Sequence, residues 1–334
     1  MEFLRHISKS SMGLARGCSI LFVLTALVAC GEAGEPESVA TDPSPSSSEG
    51  KGDVHDQKAQ SREVDTTTCV LDSTDEFDPQ ARLPKGPWEG ECMNTARRRP
   101  VIVLEPATEE NPTLTVANLF HDDGFWTARI PTDQVENVYF QLEYFPAVVP
   151  AGHTQLRVQF ASPVRLEGQS EWNAGQSDEV TDLVFSIEAV TRVGDGYDIL
   201  RGTQDHYGIV FRMTSLEARY DSMITQQGHH VEQWILDLEE DEKQALVSFY
   251  AFESEELALQ HTYHTLFRNC TTEIVGTLDA VVQYTVGEQI KRFLVKVTEV
   301  YPNVVRAALI ARGLLPLDQS TDWHPLEEDP TARF

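Results

Sequence analysis

Basic residues are scarce in this chain: 26 Lys and Arg stand against 53 Asp and Glu, a net charge of −27. That balance excludes nucleic acid as a partner, because phosphates need a basic surface. It equally excludes docking on anionic lipid headgroups through charge. The acidity itself reads as a solubility feature. Long apolar runs are also missing. The longest, Ser19–Ala29 (SILFVLTALVA), is too short to span a bilayer as a stable helix, and nothing later is longer. Residues 31–68 have almost no large apolar side chain and are rich in Ser, Pro, Glu, Gly and Asp. Such a segment cannot bury enough surface to offset chain entropy, so it reads as a disordered tether. There is no internal repeat.

What is present begins with the export signal. Arg5, Lys9 and Arg16 precede the apolar run, which ends in Leu27-Val28-Ala29-Cys30-Gly31. A basic start followed by a short apolar segment is a secretory signal. Small residues before a cysteine resemble the lipobox of bacterial lipoproteins, with Cys30 where cleavage should fall. The resemblance implies a lipid on Cys30 and a membrane as first partner. The chain would then sit in the cell envelope, on the periplasmic side or at the cell surface. An ordinary secretory signal with an incidental cysteine is the alternative.

Cysteines number five. Cys18 leaves with the signal, and Cys30 takes the lipid. In an oxidising compartment a nearby pair should bridge. Cys69 and Cys92 flank a loop-rich stretch and form the favoured pair, leaving Cys270 as a free thiol; a bridge from Cys270 to either of them is the rival.

Alternating or β-rich stretches predict strands over 101–104, 114–120, 138–145, 154–160, 183–190, 209–213 and 231–238. Helical spacing follows over 240–256, 271–284, 289–300 and 304–314, the last two split by Pro302. Strands first and helices later predict an α+β fold, an antiparallel sheet followed by helices. The organisation expected is a signal peptide (1–29), a lipidated tether (30–68), a β-rich start (69–140), a core (141–285), and C-terminal helices with a tail (286–334). The polar, acidic tail after Pro316 reads as a loosely held end.

One pair of residues could carry chemistry. Asn269 suits an N-cap, which places Cys270 in the first turn of a helix. Free N–H groups and the positive dipole end stabilise a thiolate there and can hold an oxyanion. The base candidate is His153, at the head of a strand. Leu156, Val158 and Phe160 share one face of that strand; His153, Gln155, Arg157 and Gln159 share the other. A polar strand face of this kind is usually wet.

Gly152-His153-Thr154 with Leu156-Arg157, then Gln233-Trp234-Ile235-Leu236-Asp237-Leu238, then Tyr263 and Asn269-Cys270-Thr271-Thr272, resemble a family of bacterial envelope proteins. Its domain is called the Lnb N-terminal periplasmic domain. The resemblance covers roughly 140–285 and is sharpest in the Gly-His-Thr and Asn-Cys-Thr-Thr segments. That family looks like a circularly permuted relative of the papain-like NlpC-type peptidases, with the histidine strand preceding the cysteine helix. The resemblance implies a thiol hydrolase with Cys270 as nucleophile and His153 as base, Asn269 helping to set the helix start. Peptide, peptidoglycan-stem or lipid amide substrates would suit, and no cofactor is implied. The sequence departs from the family where an Arg-Asp pair often precedes the Trp-containing strand; here it reads His229-His230-Val231-Glu232-Gln233. No third residue to orient His153 is identifiable, with Glu188 the one guess.

Rival readings attach to the same residues. His261, His264 and Cys270 could be zinc ligands, the two histidines standing three apart on an expected helix face, but a fourth ligand is missing. Arg97-Arg98-Arg99 reads as a solvated turn. A non-catalytic envelope lipoprotein, serving as a binding or assembly module on the same fold, is the alternative to an enzyme.

Overall fold

The computed structural model describes residues 77–78, 87–145, 152–171, 173–257, 259–295, 304–316 and 323–332. Of two compact units, Met1–Lys58 and Ala59–Phe334, all these residues belong to the second. The export signal, Cys30, the tether and Cys69 lie outside the described residues.

Ten strands form one sheet: β1 (Ile102–Glu105), β2 (Thr113–His121), β3 (Gly124–Pro131), β4 (Val135–Tyr144), β5 (Gly152–Gly168), β6 (Ser177–Val190), β7 (Tyr207–Ser215), β8 (His230–Ile235), β9 (Thr262–Tyr263) and β10 (Trp323–Pro325). The main order is β1-β2-β7-β6-β5-β4-β8-β10. All pairings are antiparallel except a single parallel contact between β2 and β7. The α+β class is as expected, but strands from both 69–140 and 141–285 share this sheet.

β5 organises the sheet by changing partners. Its first half pairs with β4, its last residues with β3, and its register against β6 slips between Gln159 and Val164, around Pro163. Proline cannot donate to a ladder, so a slip at this point is expected. Because β3 also pairs with β2, the strands β2-β3-β5-β6-β7 close into a five-stranded ring. The sequence reading missed β3. Its signal was the Asp122-Asp123-Gly124 turn, where both aspartates adopt left-handed φ of 44° and 56°. That geometry suits a tight hairpin.

The helices are α1 (Leu216–Tyr220), which runs on into a π-helical turn Asp221–Gln226, α2 (Glu240–Leu257), α3 (Cys270–Val281), α4 (Val286–Val295) and α5 (Val305–Ala311). α2 and α3 bring Leu246, Val247, Tyr250, Ile274, Val275 and Leu278 onto the apolar sheet face of Leu156, Val158, Phe185 and Phe211. Tyr250 lies flat on Phe185, ring centroids 4.6 Å apart, and its hydroxyl donates to the Ser186 carbonyl at 2.7 Å. A buried phenol must find such a partner.

The other face of the sheet overturns an expectation. Gln141, Glu143, Gln155, Arg157, Ser186, Arg212 and Gln233 are polar, yet all are buried. The α1–π segment covers one part: Arg219 donates to Gln155 and Glu143, each at 2.8 Å, and Met223 packs beside Gln155. The C-terminal segment covers another part, which corrects the reading of a loose tail. β10 pairs with β8, and Asp329 binds Arg157 at 2.6 Å and Gln233 at 2.6 Å. A polar strand face can be buried when most groups on it find a partner, and here most do.

The solvated-turn reading of Arg97–Arg99 holds in part: Arg97 and Arg98 stay about half exposed and Arg99 is largely covered, but all three are paired. Arg97 pairs with Asp123 at 3.1 Å, Arg98 with Glu188 at 2.7 Å and Arg99 with Asp78 at 3.5 Å. Arg99 also lies over the Phe125 ring. Arg97 and Arg98 clip the chain before β1 to the β2–β3 turn and to β6, and Arg99 ties it to the preceding segment at Asp78.

Candidate active site

Asn269 is the N-cap of α3, as its residue type suggested. Its side-chain oxygen accepts from the Thr272 N–H at 3.0 Å, and the Thr272 hydroxyl accepts from the Asn269 N–H at 2.9 Å. This reciprocal box satisfies two orphan donors and fixes where the helix begins. Asn269→Ala should therefore cost about 1 kcal/mol of stability, read as a lower midpoint in urea unfolding. No change in midpoint would mean the box is dispensable.

Cys270 follows as the first helical residue. It is a free thiol, only 5 % exposed, while Cys92 is disulfide-bonded. The rival pairing of Cys270 with Cys92 is thereby excluded. β5 lies against the start of α3, with the Thr154 and Thr271 hydroxyls 3.2 Å apart. Thr154 follows His153, so this contact brings the head of β5 to the cysteine.

The two groups perturb one another. Burial pushes the Cys270 thiol up, but the neighbouring His153 charge, its hydrogen bond and the Thr154 N–H outweigh that and bring it down to about 7. Burial pushes His153 down, while the Cys270 charge and hydrogen bond outweigh it, so the imidazole ends up raised. Each group thus favours the charged form of the other. The Nε2 of His153 is buried and has no hydrogen-bond partner among the described residues. Tyr263 and Tyr197 stand close by: burial, then the Cys270 charge, raises the Tyr263 phenol well above its ordinary value. Burial raises Tyr197 too, against hydrogen bonds to Thr265 and Tyr263 that lower it, with a smaller push from the Cys270 charge.

Behind His153 is a set of residues that sequence reasoning did not assemble. Glu143 on β4 is the direct cross-strand neighbour of His153. Continuing the Gln155–Ser186 register puts Glu188 opposite it on β6. Neither acid is free to serve the imidazole alone. Glu143 binds Arg219 at 2.8 Å and the Nδ1 of His229 at 2.5 Å. Glu188 binds Arg98 at 2.7 Å and Arg212 at 3.0 Å, with Arg219 at 3.9 Å. The cations hold the Glu188 carboxyl well below its usual range against the cost of burial. His229, which stands where the family's Arg-Asp pair was expected, thus joins the same network. Only the alternation of β4 hinted at Glu143.

The zinc reading loses its geometry. His261 and His264 flank β9 rather than sharing a helix face, and the His264 ring accepts from the Leu266 N–H at 3.1 Å. Among the described residues no group of three or more His, Cys, Asp or Glu is placed to hold a metal.

Residues 122–301 match the family of the Lnb N-terminal periplasmic domain. The chain belongs to that family. The match extends beyond 140–285 at both ends and takes in β3, the strand that closes the ring, and α4. No curated protein and no solved structure matches the chain. An Lnb N-terminal domain is a periplasmic module, and no helix among the described residues is long and apolar enough to cross a membrane. The family match fits an envelope-side domain.

Proposed function

We propose that this Lnb-family domain is an envelope thiol hydrolase, an amidase, peptidase or acyl transferase, built on a permuted papain-like core. The observation that carries the reading is a buried, unpaired Cys270 at a boxed helix start, facing His153, each shifting the other's titration in opposite directions. The Cys270 sulfur attacks the carbonyl carbon of the substrate, and the helix N-terminus steadies the negative oxygen. His153 passes its proton to the leaving amine as the C–N bond breaks, leaving a thioester on Cys270. Water, deprotonated by His153, then releases the acid and restores the thiol. Export with a lipid on Cys30 would hold this chemistry at a membrane, in reach of peptide, peptidoglycan or lipid amides.

The test is acyl transfer from p-nitrophenyl acetate. A stoichiometric burst of p-nitrophenolate should be followed by slow turnover, with an acetyl group found on Cys270 by mass spectrometry. Cys270→Ala should remove both. Acetylation spread over lysines, with no burst, would sink the reading. The small exposure of Cys270 favours the second reading, a non-catalytic binding module, and that outcome would put it in front.

A further inference from the structure

The polar face of the sheet opens into a cleft of about 440 Å³, lined among others by Arg97, Arg98, Phe120, Glu188, Arg212 and Arg219. Two of these residues, Glu188 and Arg219, are felt electrostatically by His153 or feel it. The cleft therefore begins at the layer of charges behind the candidate base.

Charge at its floor is unbalanced. Arg98, Arg212 and Arg219 all converge on the single carboxylate of Glu188, at 2.7, 3.0 and 3.9 Å. Glu143 assists only Arg219, and shares itself with His229. Three guanidiniums thus stand over one whole carboxylate and part of another.

Arg212 shows where the deficit falls. Its residue is 8 % exposed, and its guanidinium stacks 4.9 Å from the Phe120 ring centroid. Nη1 is used on Glu188. Nε is buried without a hydrogen-bond partner, and Nη2 has none among the described residues. Burial pushes this guanidinium down to about 10, as expected for a cation short of counter-charge. Of the two unused nitrogens, Nη2 is the one not sealed from the cleft and so the one a carboxylate can reach. The same chain shows an Nη2 so used elsewhere: Arg312 holds both oxygens of Asp279, Nε at 2.9 Å and Nη2 at 3.1 Å.

We propose that the cleft is a carboxylate-binding site, in which the unpartnered Nη2 of Arg212 receives the carboxylate and Arg98 lies alongside. Asp122, Asp123, Glu217 and Asp221 also line the cleft, so multiply charged anions are disfavoured at its mouth. A single carboxylate on an otherwise neutral or zwitterionic peptide fits both the floor and the lining. That the bound molecule is a substrate rests on the thiol-hydrolase reading; the binding site itself does not.

The test uses the full chain carrying Cys270→Ala, so that binding is read without chemistry. N-acetylglycine is titrated in, with N-acetylglycinamide as the uncharged control and inorganic phosphate as a third arm. The ¹⁵N resonance of Arg212 Nε, in the same guanidinium, reports occupancy, and saturation transfer to the acetyl methyl reports affinity in variants. N-acetylglycine should move the Arg212 resonance saturably, and the amide should not. Arg212→Gln should weaken binding about tenfold or more, and Arg98→Gln, at a half-exposed side chain, by a smaller factor. Arg165→Gln, at a remote exposed pair, should change nothing. If Arg212→Gln fails to fold, the wild-type resonance and Arg98→Gln still decide. An unmoved Arg212 resonance, equal binding of the amide, or binding of phosphate alone would overturn the proposal.

Discussion

Replacing His153 with Ala is expected to move the half-point of Cys270 alkylation from about pH 7 to above the free-thiol value of about 8.5. The sign follows from the causes. His153 supplies the largest lowering influence on the thiol, by charge and by hydrogen bond. Without it, burial remains and raises the thiol, opposed only by Thr154. At pH 7 the wild-type sulfur is about half thiolate, whereas a thiol titrating at about 8.5 is only about 3 % ionised there. The rate falls less than this roughly fifteen-fold change in population, because a thiolate of higher pKa is the better nucleophile. The half-point is therefore the decisive reading. Iodoacetamide labelling across pH 5–10, with the label located by mass spectrometry, measures it. Wild-type reactivity should be flat above about pH 8 and fall as pH drops through 7. Coincident profiles for the two proteins would show that His153 does not hold the thiolate, and would end the Cys–His reading.

Asp182→Ala and Asp329→Ala should each cost about 3–5 kcal/mol of stability, the largest effects expected away from the candidate site. Arg157 is fully buried and is held by Asp182 at 2.7 Å and by Asp329 at 2.6 Å. Thr331 accepts from it at 2.9 Å, and its guanidinium lies over Tyr139. Deleting either acid leaves a dry cation short of counter-charge, and that residual charge sets the magnitude. Combining Arg157→Met with Asp182→Asn and Asp329→Asn should recover much of the loss, since nothing charged is then stranded. Arg165→Ala is the contrast: its partner Glu179 is 3.5 Å away with both side chains largely exposed, and about 0.5 kcal/mol or less is expected. Urea unfolding at pH 7 measures all four. Losses at Asp182 and Asp329 as small as that at Arg165 would mean that water reaches Arg157.

Both results bear on how much of the molecule is legible in its residues. Strands and helices with strong periodicity were readable: β2, β4, β6 and α2 lie close to where alternation and helical spacing put them. The N-cap role of Asn269 was readable too, because a cap is a local matter of one side chain and the next three N–H groups. β3 was missed although its turn is plain, and α1 with its π turn was missed because eleven residues carry too short a pattern. The polar face was misread for a different reason. Gln155 and Arg157 alternate as solvent-facing residues do, and their partners, Arg219 and Asp329, lie 64 and 172 positions away.

The sequence by itself determined the acidic balance, the α+β class and the helix start at Asn269. These depend on composition, on period and on interactions within a few residues. Cys270 and His153 were singled out as a catalytic pair only through the family resemblance. Only the tertiary structure decided that Cys270 is free, that its titration is coupled to a histidine 117 positions away, and that Gln155 and Arg157 on the polar face of β5 are buried. Only it decided that Glu143 and Glu188 flank the histidine with arginines already attached, and that Arg212 keeps Nη2 unpartnered. The reason is physical. Sheet registry, the ring closed by β3 and the covering segments bring together charges whose meaning is set by burial and by partners, and neither is a property of any short stretch of chain.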